Sequence, residues 1–301
     1  MVIHPEAPVL LVTFNRPDYT RQVIDQLRKA RTARLYVFND GPRTDNQTDR
    51  DARVAIRSLL QEIDWPCALQ MNFPDQNLGC AKGVSSAISW VFEQEDRAII
   101  LEDDTVPSLA FFTYCNELLE RYKNNTEVWM LSGNNYNEEY AIPASYTFSR
   151  SAIHIWGWAT WKRSWSHYDI SLDAWPSFFK TGGFNKLFNN TTDVNFWTQR
   201  YQQLYAHKET ITRKTWDYQF VLSLHTNGGL CAVPGKNLVT NIGHTGEHTD
   251  GVHSMHNRPV DNNFTILQHP ECITANTGYD SHHVRRFWKR KKQSLPGSKI
   301  N

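Results

Sequence analysis

The amino-acid sequence predicts an α/β protein built on a doubly wound, mostly parallel β-sheet, with an aromatic-rich C-terminal elaboration. Over about the first 130 residues, short apolar runs alternate with segments whose apolar residues recur at helical spacing. Of the 301 residues, 40% are hydrophobic and 21% are charged. This is the composition of a globular protein with a sizeable core, and it excludes wholesale disorder and coiled-coil architectures.

The predicted strands are short runs of apolar and β-branched residues closed by turn residues. The first run, PVLLVTF, has no polar face, as expected of a strand buried on both sides. The run LYVFN ends at Asp40-Gly41-Pro42, which is a strong turn signal. Taken in order, the strands are expected at 8–14, 35–39, 67–72, 97–101 and 127–132.

The predicted helices lie between these strands. Val23, Ile24 and Leu27 recur at helical spacing and define an apolar face for the first helix. Four segments of this kind are expected to be helical, at 19–30, 49–63, 82–93 and 109–123. Residues 145–220 are Trp-rich with weaker periodicity, and residues 226–256 are rich in Gly, His, Asn and Thr.

Polar residues follow three of the predicted strands, at 13–16, 39–41 and 102–104. In doubly wound sheets, ligands bind beyond the carboxyl ends of the strands. Because parallel strands end on one rim of the sheet, the three polar segments are expected to converge there. The sequence therefore predicts a binding site on that rim.

The segment Glu102-Asp103-Asp104 follows four apolar residues. Three adjacent carboxylates repel one another and resist burial unless a cation neutralises them. Mg²⁺ or Mn²⁺ is typically held by one or two carboxylates together with substrate phosphates. The alternative interpretation is a solvated acidic loop or a helix N-cap.

Five segments of the chain, PVLLVTFNRPDY, VFNDGP, NLGCAKGV, AIILEDD and IWGWATW, together resemble glycosyltransferases of the A type, which have the Rossmann-like nucleotide-diphospho-sugar transferase fold. They occur in the right order over about residues 8–160. The acidic segment is similar to the Asp-x-Asp signature of N-acetylglucosaminyltransferase I type enzymes, and the chain is also similar to family 2 enzymes. The resemblance implies a metal-dependent transfer of sugar from a nucleotide-diphosphate sugar.

The resemblance also implies roles for individual residues. Asp104 and His248 would bind Mn²⁺ or Mg²⁺, and Gly157 and Trp158 would contact the sugar or acceptor. For Lys82 the alternative interpretation is a solvated lysine at the start of a helix. For Trp158 the alternative interpretation is an apolar side chain that fills the core under the sheet. The donor and its nucleotide would be bound by Thr13, Asn15, Arg16, Asp40, Asn77, Gly79, Lys82, Glu102 and Asp103.

Asp217 begins an apolar helical run that contains Phe220, Val221 and Leu224. An acid at this point can be a first-turn residue favoured by the helix dipole. The resemblance instead implies that Asp217 is the catalytic base of an inverting reaction. Such a base takes the proton of the acceptor hydroxyl as the hydroxyl attacks the anomeric carbon.

Four histidines, His244, His248, His253 and His256, lie within thirteen residues. They lack the HExxH spacing of a zinc site, and Gly246 disfavours a helix there. A polar loop that closes over the donor is the simpler interpretation, and His248 or His244 could also contact the metal or the diphosphate.

Charge and cysteine content limit the partners and the compartment. The net charge of +1 argues against a broad nucleic-acid surface. Five cysteines with no CxxC pair, no signal peptide and no membrane span favour a cytoplasmic protein. We expect a single domain over 1–284, with a nucleotide-binding half at 8–135 and an acceptor half at 136–260. A basic tail at 285–301 would follow, and its segment RRFWKRKK could contact an anionic membrane.

The function predicted from these observations is metal-dependent inverting glycosyl transfer from a nucleotide-diphosphate sugar, with UDP as the expected nucleotide. The acceptor is expected to be a hydroxyl of a glycan or a glycolipid. Three alternatives remain: a nucleotidyltransferase of the same fold, a metal-dependent phosphoester hydrolase, and a carbohydrate-binding module without catalytic activity. The segment TFNRPDY disfavours the first, because that class has a Gly-rich basic signature there.

Overall fold

A computed structural model of the chain describes residues 7–246, 249–250 and 255–293. Its first half alternates strands and helices as the sequence predicts. In chain order the elements are β1 (Val9–Thr13), α1 (Pro17–Ala30), β2 (Arg34–Asn39), α2 (Gln47–Gln61), β3 (Ala68–Asn72), α3 (Gly79–Phe92), β4 (Arg97–Glu102), β5 (Thr105–Pro107), α4 (Leu109–Arg121) and β6 (Val128–Ser132).

The second half adds strands and a group of shorter helices. The strands are β7 (Tyr146–Ser149), β8 (Trp158–Trp161), β9 (Leu230–Pro234), β10 (Val239–Asn241), β11 (Thr245–Gly246) and β12 (Thr249–Asp250). The helices are α5 (Lys162–Trp165), α6 (Trp175–Lys180), α7 (Gly183–Leu187), α8 (Thr191–Ala206), α9 (Lys208–Lys214), α10 (Asp217–Thr226) and α11 (Thr277–Gln293).

The described residues form an eight-stranded sheet with the order β3-β2-β1-β4-β8-β6-β9-β7. Strands β1 to β4 pair in parallel, and β9 is parallel to β6. Two strands of the second half, β8 and β7, are antiparallel to their neighbours. The fold is therefore α/β with a mostly parallel sheet, as the sequence predicts.

Apolar residues cover both faces of this sheet. Alternate residues of β1 point to opposite sides, so that Val9 and Leu11 pack with α1, α2 and α4, whereas Leu10 and Val12 pack with α3 and α10. A third apolar cluster lies among α6, α7, α8 and α10 and contains mostly aromatic side chains. This cluster packs helices α6, α7 and α8 against α10, the helix that begins at Asp217.

The C-terminal helix α11 packs against β7 and α8. The carboxylate of Asp280 accepts hydrogen bonds from the side chain of Ser149 and the backbone N–H groups of Arg150 and Ser151. The expected boundary between the domain and its basic tail, at 284/285, falls inside this helix. Among the described residues, no helix is long and apolar enough to cross a bilayer.

Candidate active site

A cleft of about 1010 Å³ lies at the carboxyl ends of β1, β2 and β4, facing the start of α10. The three polar strand ends converge there because these strands run in parallel. Ten of the residues singled out in the sequence line this cleft, namely Thr13, Asn15, Arg16, Asp40, Asn77, Gly79, Glu102, Asp103, Asp104 and Asp217. Lys82, Gly157 and Trp158 do not line it.

Arg16 neutralises the acidic segment in this structure. Its guanidinium forms an ion pair with Asp103 through one nitrogen and with Asp104 Oδ2 through the other, at 2.9 Å. The side chain of Asp103 is only 3% exposed, whereas that of Arg16 is 28% exposed. A buried carboxylate needs a cation or hydrogen-bond donors, and Arg16 supplies both to Asp103. Arg16 therefore holds the loop between β1 and α1 against the end of β4.

The charges at this point shift one another's protonation. Burial, together with the charges of Asp104 and Asp103, raises the pKa of Glu102 to about 8. Burial, opposed by the charge of Arg16, raises the pKa of Asp103 to about 6. Burial alone would lower the pKa of Arg16, but Asp103 and Asp104 raise it above its usual value. The acidic side chains of Glu102, Asp103 and Asp104 thus lie close together in the cleft, and the guanidinium of Arg16 offsets part of their charge.

Asp40 has a structural use in the protein itself. Its carboxylate accepts hydrogen bonds from the backbone N–H groups of Gly41 (2.8 Å), Leu78 (2.9 Å) and Gly79 (3.1 Å), and from the side-chain amide of Asn77 (3.0 Å). Burial raises its pKa, and these N–H groups oppose that rise. With its acceptor positions filled, Asp40 caps helix α3. Asn77 belongs to the same arrangement, and because both residues line the cleft, their expected contact with the donor nucleotide stays a prediction.

Asp49, which was not predicted as a site residue, forms hydrogen bonds with both the loop after β1 and the loop after β2. Asp49 accepts hydrogen bonds from Asn15 (2.8 Å) and from the Nε and Nη2 atoms of Arg43 (2.7 and 2.9 Å). The bonds to Arg43 lower the pKa of Asp49 to about 2. Arg43 also lies over the ring of Phe14, at 5.4 Å from its centroid. Both Phe14 and Arg43 line the cleft.

Thr13 is the last residue of β1, and its hydroxyl forms hydrogen bonds with the neighbouring strand β2 rather than facing the cleft. Its Oγ1 donates to the carbonyl of Phe38 (3.1 Å) and accepts from the side-chain amide of Asn39 (3.0 Å). The side chain is buried. Thr13 therefore shapes the wall of the cleft, and contact with a ligand falls to the loop residues after it.

Asp217 is the first residue of α10 and is half-buried at the cleft wall. The preceding Trp216 is buried and stacks on Trp158, with ring centroids 5.5 Å apart. The negative charge of Asp217 also contributes to the raised pKa of Glu102, so the two carboxylates share one electrostatic environment. Core packing at Trp216 thus fixes the start of α10, so that the carboxylate that follows it lines the cleft.

The structure corrects the expectation for the tryptophan segment. Trp158 lies in β8, is 0% exposed and packs on Trp216 and Phe220, so it cannot stack on a sugar. Trp156 lines the cleft instead, and its ring stacks on that of His256, with centroids 5.3 Å apart. Alternation along the strand could not have distinguished Trp158, because both faces of β8 are buried and residues 156 and 158 have the same parity, and the turn at Gly157 was not apparent from the sequence.

Gly157 has a backbone function. Its φ of +74° is in the left-handed region, and a Cβ at this position would lie 2.7 Å from a methyl group of Val239. Only glycine meets both conditions without strain. Gly157 lets β8 begin directly after the loop that carries Trp156, so we correct its expected contact with the acceptor to a structural role.

The two remaining sequence candidates lie elsewhere. Lys82 is exposed on the first turn of α3, outside the cleft lining, and a solvated lysine is therefore the better interpretation. His248 lies outside the described residues.

Lys214, the last residue of α9, lines the cleft, although it was not predicted from the sequence. Its only sequence signal is its position three residues before Asp217.

Asp104 is the described residue best placed to hold a divalent cation. It is half-buried and lines the cleft, and a Cβ on Gly243 would lie only 2.3 Å from its Oδ2, so a larger residue there would displace this carboxylate. Residues 7–246, 249–250 and 255–293 contain no group of three or more His, Cys, Asp or Glu side chains arranged for a metal. A cation would take further oxygen ligands from diphosphate and water, as is usual for Mg²⁺. The residues fit a cation of this kind if it displaces Arg16 from Asp104.

The sequence matches no protein-family model and no curated protein. Several solved structures share part of the fold at low similarity. The inositol-1-phosphate CTP transferase from T. maritima is 11% identical, with 78% of this chain and 89% of that chain covered and a TM-score of 0.39. UDP-glucose pyrophosphorylase complexed with UDP-glucose is 7% identical, with 56% and 79% covered and a TM-score of 0.31.

Mouse xyloside xylosyltransferase 1, in its apo form, is 16% identical, with 44% of this chain and 55% of that chain covered and a TM-score of 0.27. Superpositions as loose as these three do not support a transfer of function. The cleft and its side chains must therefore carry any functional conclusion.

Proposed function

We propose that this protein is a metal-dependent inverting glycosyltransferase that moves a sugar from a nucleotide-diphosphate sugar to a hydroxyl of a glycan or glycolipid. The observation that carries the proposal is that Asp217 and the acidic segment Glu102-Asp103-Asp104 line one cleft together with Arg16 and Trp156. This combination offers a base, a cation-binding carboxylate, a cation for phosphate and an aromatic surface.

Asp217 is assigned as the base. Its carboxylate would accept the proton of the acceptor hydroxyl while that oxygen forms a bond to the anomeric carbon and the bond to the leaving diphosphate breaks. Asp217 and the β1 loop line the same cleft of about 1010 Å³, in which the sugar would be bound. Trp156 replaces Trp158 as the proposed sugar-facing ring, because a Trp face packs well on the C–H surface of a sugar.

Asp104, with Asp103 behind it, would hold Mn²⁺ or Mg²⁺ jointly with the diphosphate. When bound, the cation supplies positive charge to the oxygens of the leaving group. Arg16 would then be released from its two carboxylates and could bind phosphate, for which its planar guanidinium is well suited. Asn15 and the Phe14–Arg43 pair would contact the nucleotide in the same loop region.

The acceptor is proposed to be a glycan or a lipid-linked glycan. Residues 285–292 carry six cations and lie at the end of α11, where they would contact an anionic membrane surface.

Calorimetric titration with UDP, in Mn²⁺ and in EDTA, combined with a panel of UDP- and GDP-sugars, tests the proposal. We expect UDP to bind at least tenfold more tightly with Mn²⁺, and one nucleotide sugar to release its nucleoside diphosphate. Asp104→Asn should lose the effect of Mn²⁺, whereas Asp64→Asn, an exposed acid on the surface, should keep it.

Several results would contradict the proposal. Production of pyrophosphate from a nucleoside triphosphate and a sugar phosphate would identify a nucleotidyltransferase. Metal-dependent cleavage of a phosphoester without nucleotide binding would identify a hydrolase. Glycan binding with no nucleotide affinity would identify a binding module.

A further inference from the structure

Three cationic side chains line the cleft, and they differ in their partners. Arg16 pairs with Asp103 and Asp104, and Arg43 pairs with Asp49. Lys214 forms no ion pair with any residue in the part of the chain that the structure describes. Because no described carboxylate pairs with it, an anionic ligand that binds the ammonium of Lys214 has no ion pair to displace.

Helix packing places Lys214 near the start of α3. Lys214 is the last residue of α9, which lies against α3, and the carbonyl oxygen of Arg213 is 4.0 Å from the position of a Cβ on Gly79. Lys214 also borders a second pocket of about 290 Å³, whose described lining belongs to α9. Its side chain is exposed and lines the larger cleft as well.

The start of α3 cannot serve as the anion site unaided. Helix N-termini attract phosphate through their unpaired N–H groups. Here the N–H groups of Leu78 and Gly79 already donate to the carboxylate of Asp40, whose negative charge offsets the helix dipole. An anion in this part of the cleft therefore needs a separate cation, and Lys214 is the described side chain that supplies it.

We propose that Lys214 binds the diphosphate of the nucleotide, the role that the sequence resemblance implied for Lys82. This assignment rests on the proposed function, since it takes a nucleoside diphosphate as the ligand. An ammonium carries three donors and acts as a compact point charge on phosphate oxygens. As the sugar–phosphate bond breaks, negative charge grows on these oxygens, and Lys214 stabilises the leaving diphosphate.

Calorimetric titration of the full-length protein with UDP and with uridine tests this role. We expect Lys214→Gln to weaken UDP binding roughly ten- to a hundredfold, the loss typical of one hydrogen bond to a charged group, and to leave uridine binding unchanged. Lys214→Arg should retain most of the UDP affinity. The matched control is Lys180→Gln, another exposed lysine at the end of a helix, outside the cleft; it should bind UDP as the wild type does.

The outcomes separate this inference from the proposed function. If the wild type binds UDP and Lys214→Gln binds it equally well, the assignment of Lys214 is overturned and the glycosyltransferase proposal stands. If Lys214→Gln weakens uridine and UDP alike, Lys214 does not act on the phosphates and the assignment is again overturned. If the wild type binds no nucleotide with or without Mn²⁺, the proposed function fails, and the role of Lys214 fails with it.

Discussion

Arg16 pairs with two carboxylates, Asp104 and Asp103, whose expected roles are to bind the metal and the donor. This pairing could not be predicted from the sequence, because Arg16 and Asp103 are 87 residues apart and meet only when β1 and β4 pair. Its consequence is that a divalent cation has to compete with a guanidinium for Asp104. A cation that binds together with a diphosphate has an advantage in that competition, because Arg16 then gains phosphate as a new partner.

At the same scale, Asp217→Asn should reduce the rate of glycosyl transfer by a factor of about a hundred or more, since an amide cannot accept the acceptor proton. The affinity for the nucleotide sugar should change less than threefold. Initial rates with the donor found in the panel, and calorimetry with the same donor, measure the two quantities.

Asp18→Asn is the matched control for this variant. Asp18 is also an acid in the first turn of a helix, and its substitution removes the same favourable interaction with the helix dipole, about 0.3 to 1 kcal/mol, outside the cleft. If the two variants have equal turnover, Asp217 is a first-turn residue and not the base.

Among the elements, the start of β8 decides which tryptophan reaches the cleft. Gly157 turns the chain at positive φ and accepts a hydrogen bond from the N–H of Gly133 at 2.8 Å. On one side of this turn Trp156 lines the cleft, and on the other side Trp158 is buried in the sheet. A turn of one residue therefore separates a site residue from a core residue.

We expect Gly157→Ala to lower the free energy of unfolding by about 2 to 5 kcal/mol, from left-handed strain and the overlap with Val239 together. Gly228→Ala is the control, because Gly228 also has positive φ (+67°) but no atom lies within 4 Å of its Cβ position. It should lose only about 1 to 2 kcal/mol. Urea denaturation measures both, and equal losses would contradict the predicted clash at Gly157.

The strands and helices of the first half agree with the sequence prediction to within a few residues. Their apolar residues follow the period of the element that they form, as in α1, where Val23, Ile24 and Leu27 are buried. The helices of the Trp-rich segment could not be predicted in the same way. Trp197 and Tyr201 are four residues apart on α8, but Phe184, which packs against both of them, belongs to the separate helix α7, so this part of the packing depends on tertiary contacts.

For the molecule as a whole, buried titratable groups act on stability in opposite directions. Burial lowers the pKa of His154 to about 3 and that of His225 to about 4, and it also lowers the pKa of His283. Burial raises the pKa of Asp280 to about 6. Below pH 6.5 the buried histidines oppose folding, because the unfolded chain binds protons that the folded chain does not, whereas the cost of burying an ionised Asp280 decreases as this group takes up a proton near pH 6. The overall pH dependence is the difference between these effects.

A single histidine can be isolated by comparing variants. As pH falls from 7.5 to 5.5, the wild type should lose roughly 1 to 1.5 kcal/mol of unfolding free energy through His225, and His225→Gln should not. The stability advantage of the wild type over His225→Gln should therefore shrink by that amount. Phe188→Leu, in the same aromatic cluster but without a titratable group, should show a constant difference from the wild type. A constant difference for His225→Gln as well would contradict the lowered pKa of His225.

The sequence alone determined the alternation of strands and helices, the polar ends of β1, β2 and β4, and their convergence on one rim, because these features depend on local periodicity and on the parallel pairing that crossover helices impose. Tertiary structure decided which side chains on that rim remain available to a ligand. Asp40 is occupied by the start of α3, Arg16 by two carboxylates and Trp158 by the core, whereas Trp156 and Lys214 reach the cleft. These partners come from distant parts of the chain, so no local pattern records them.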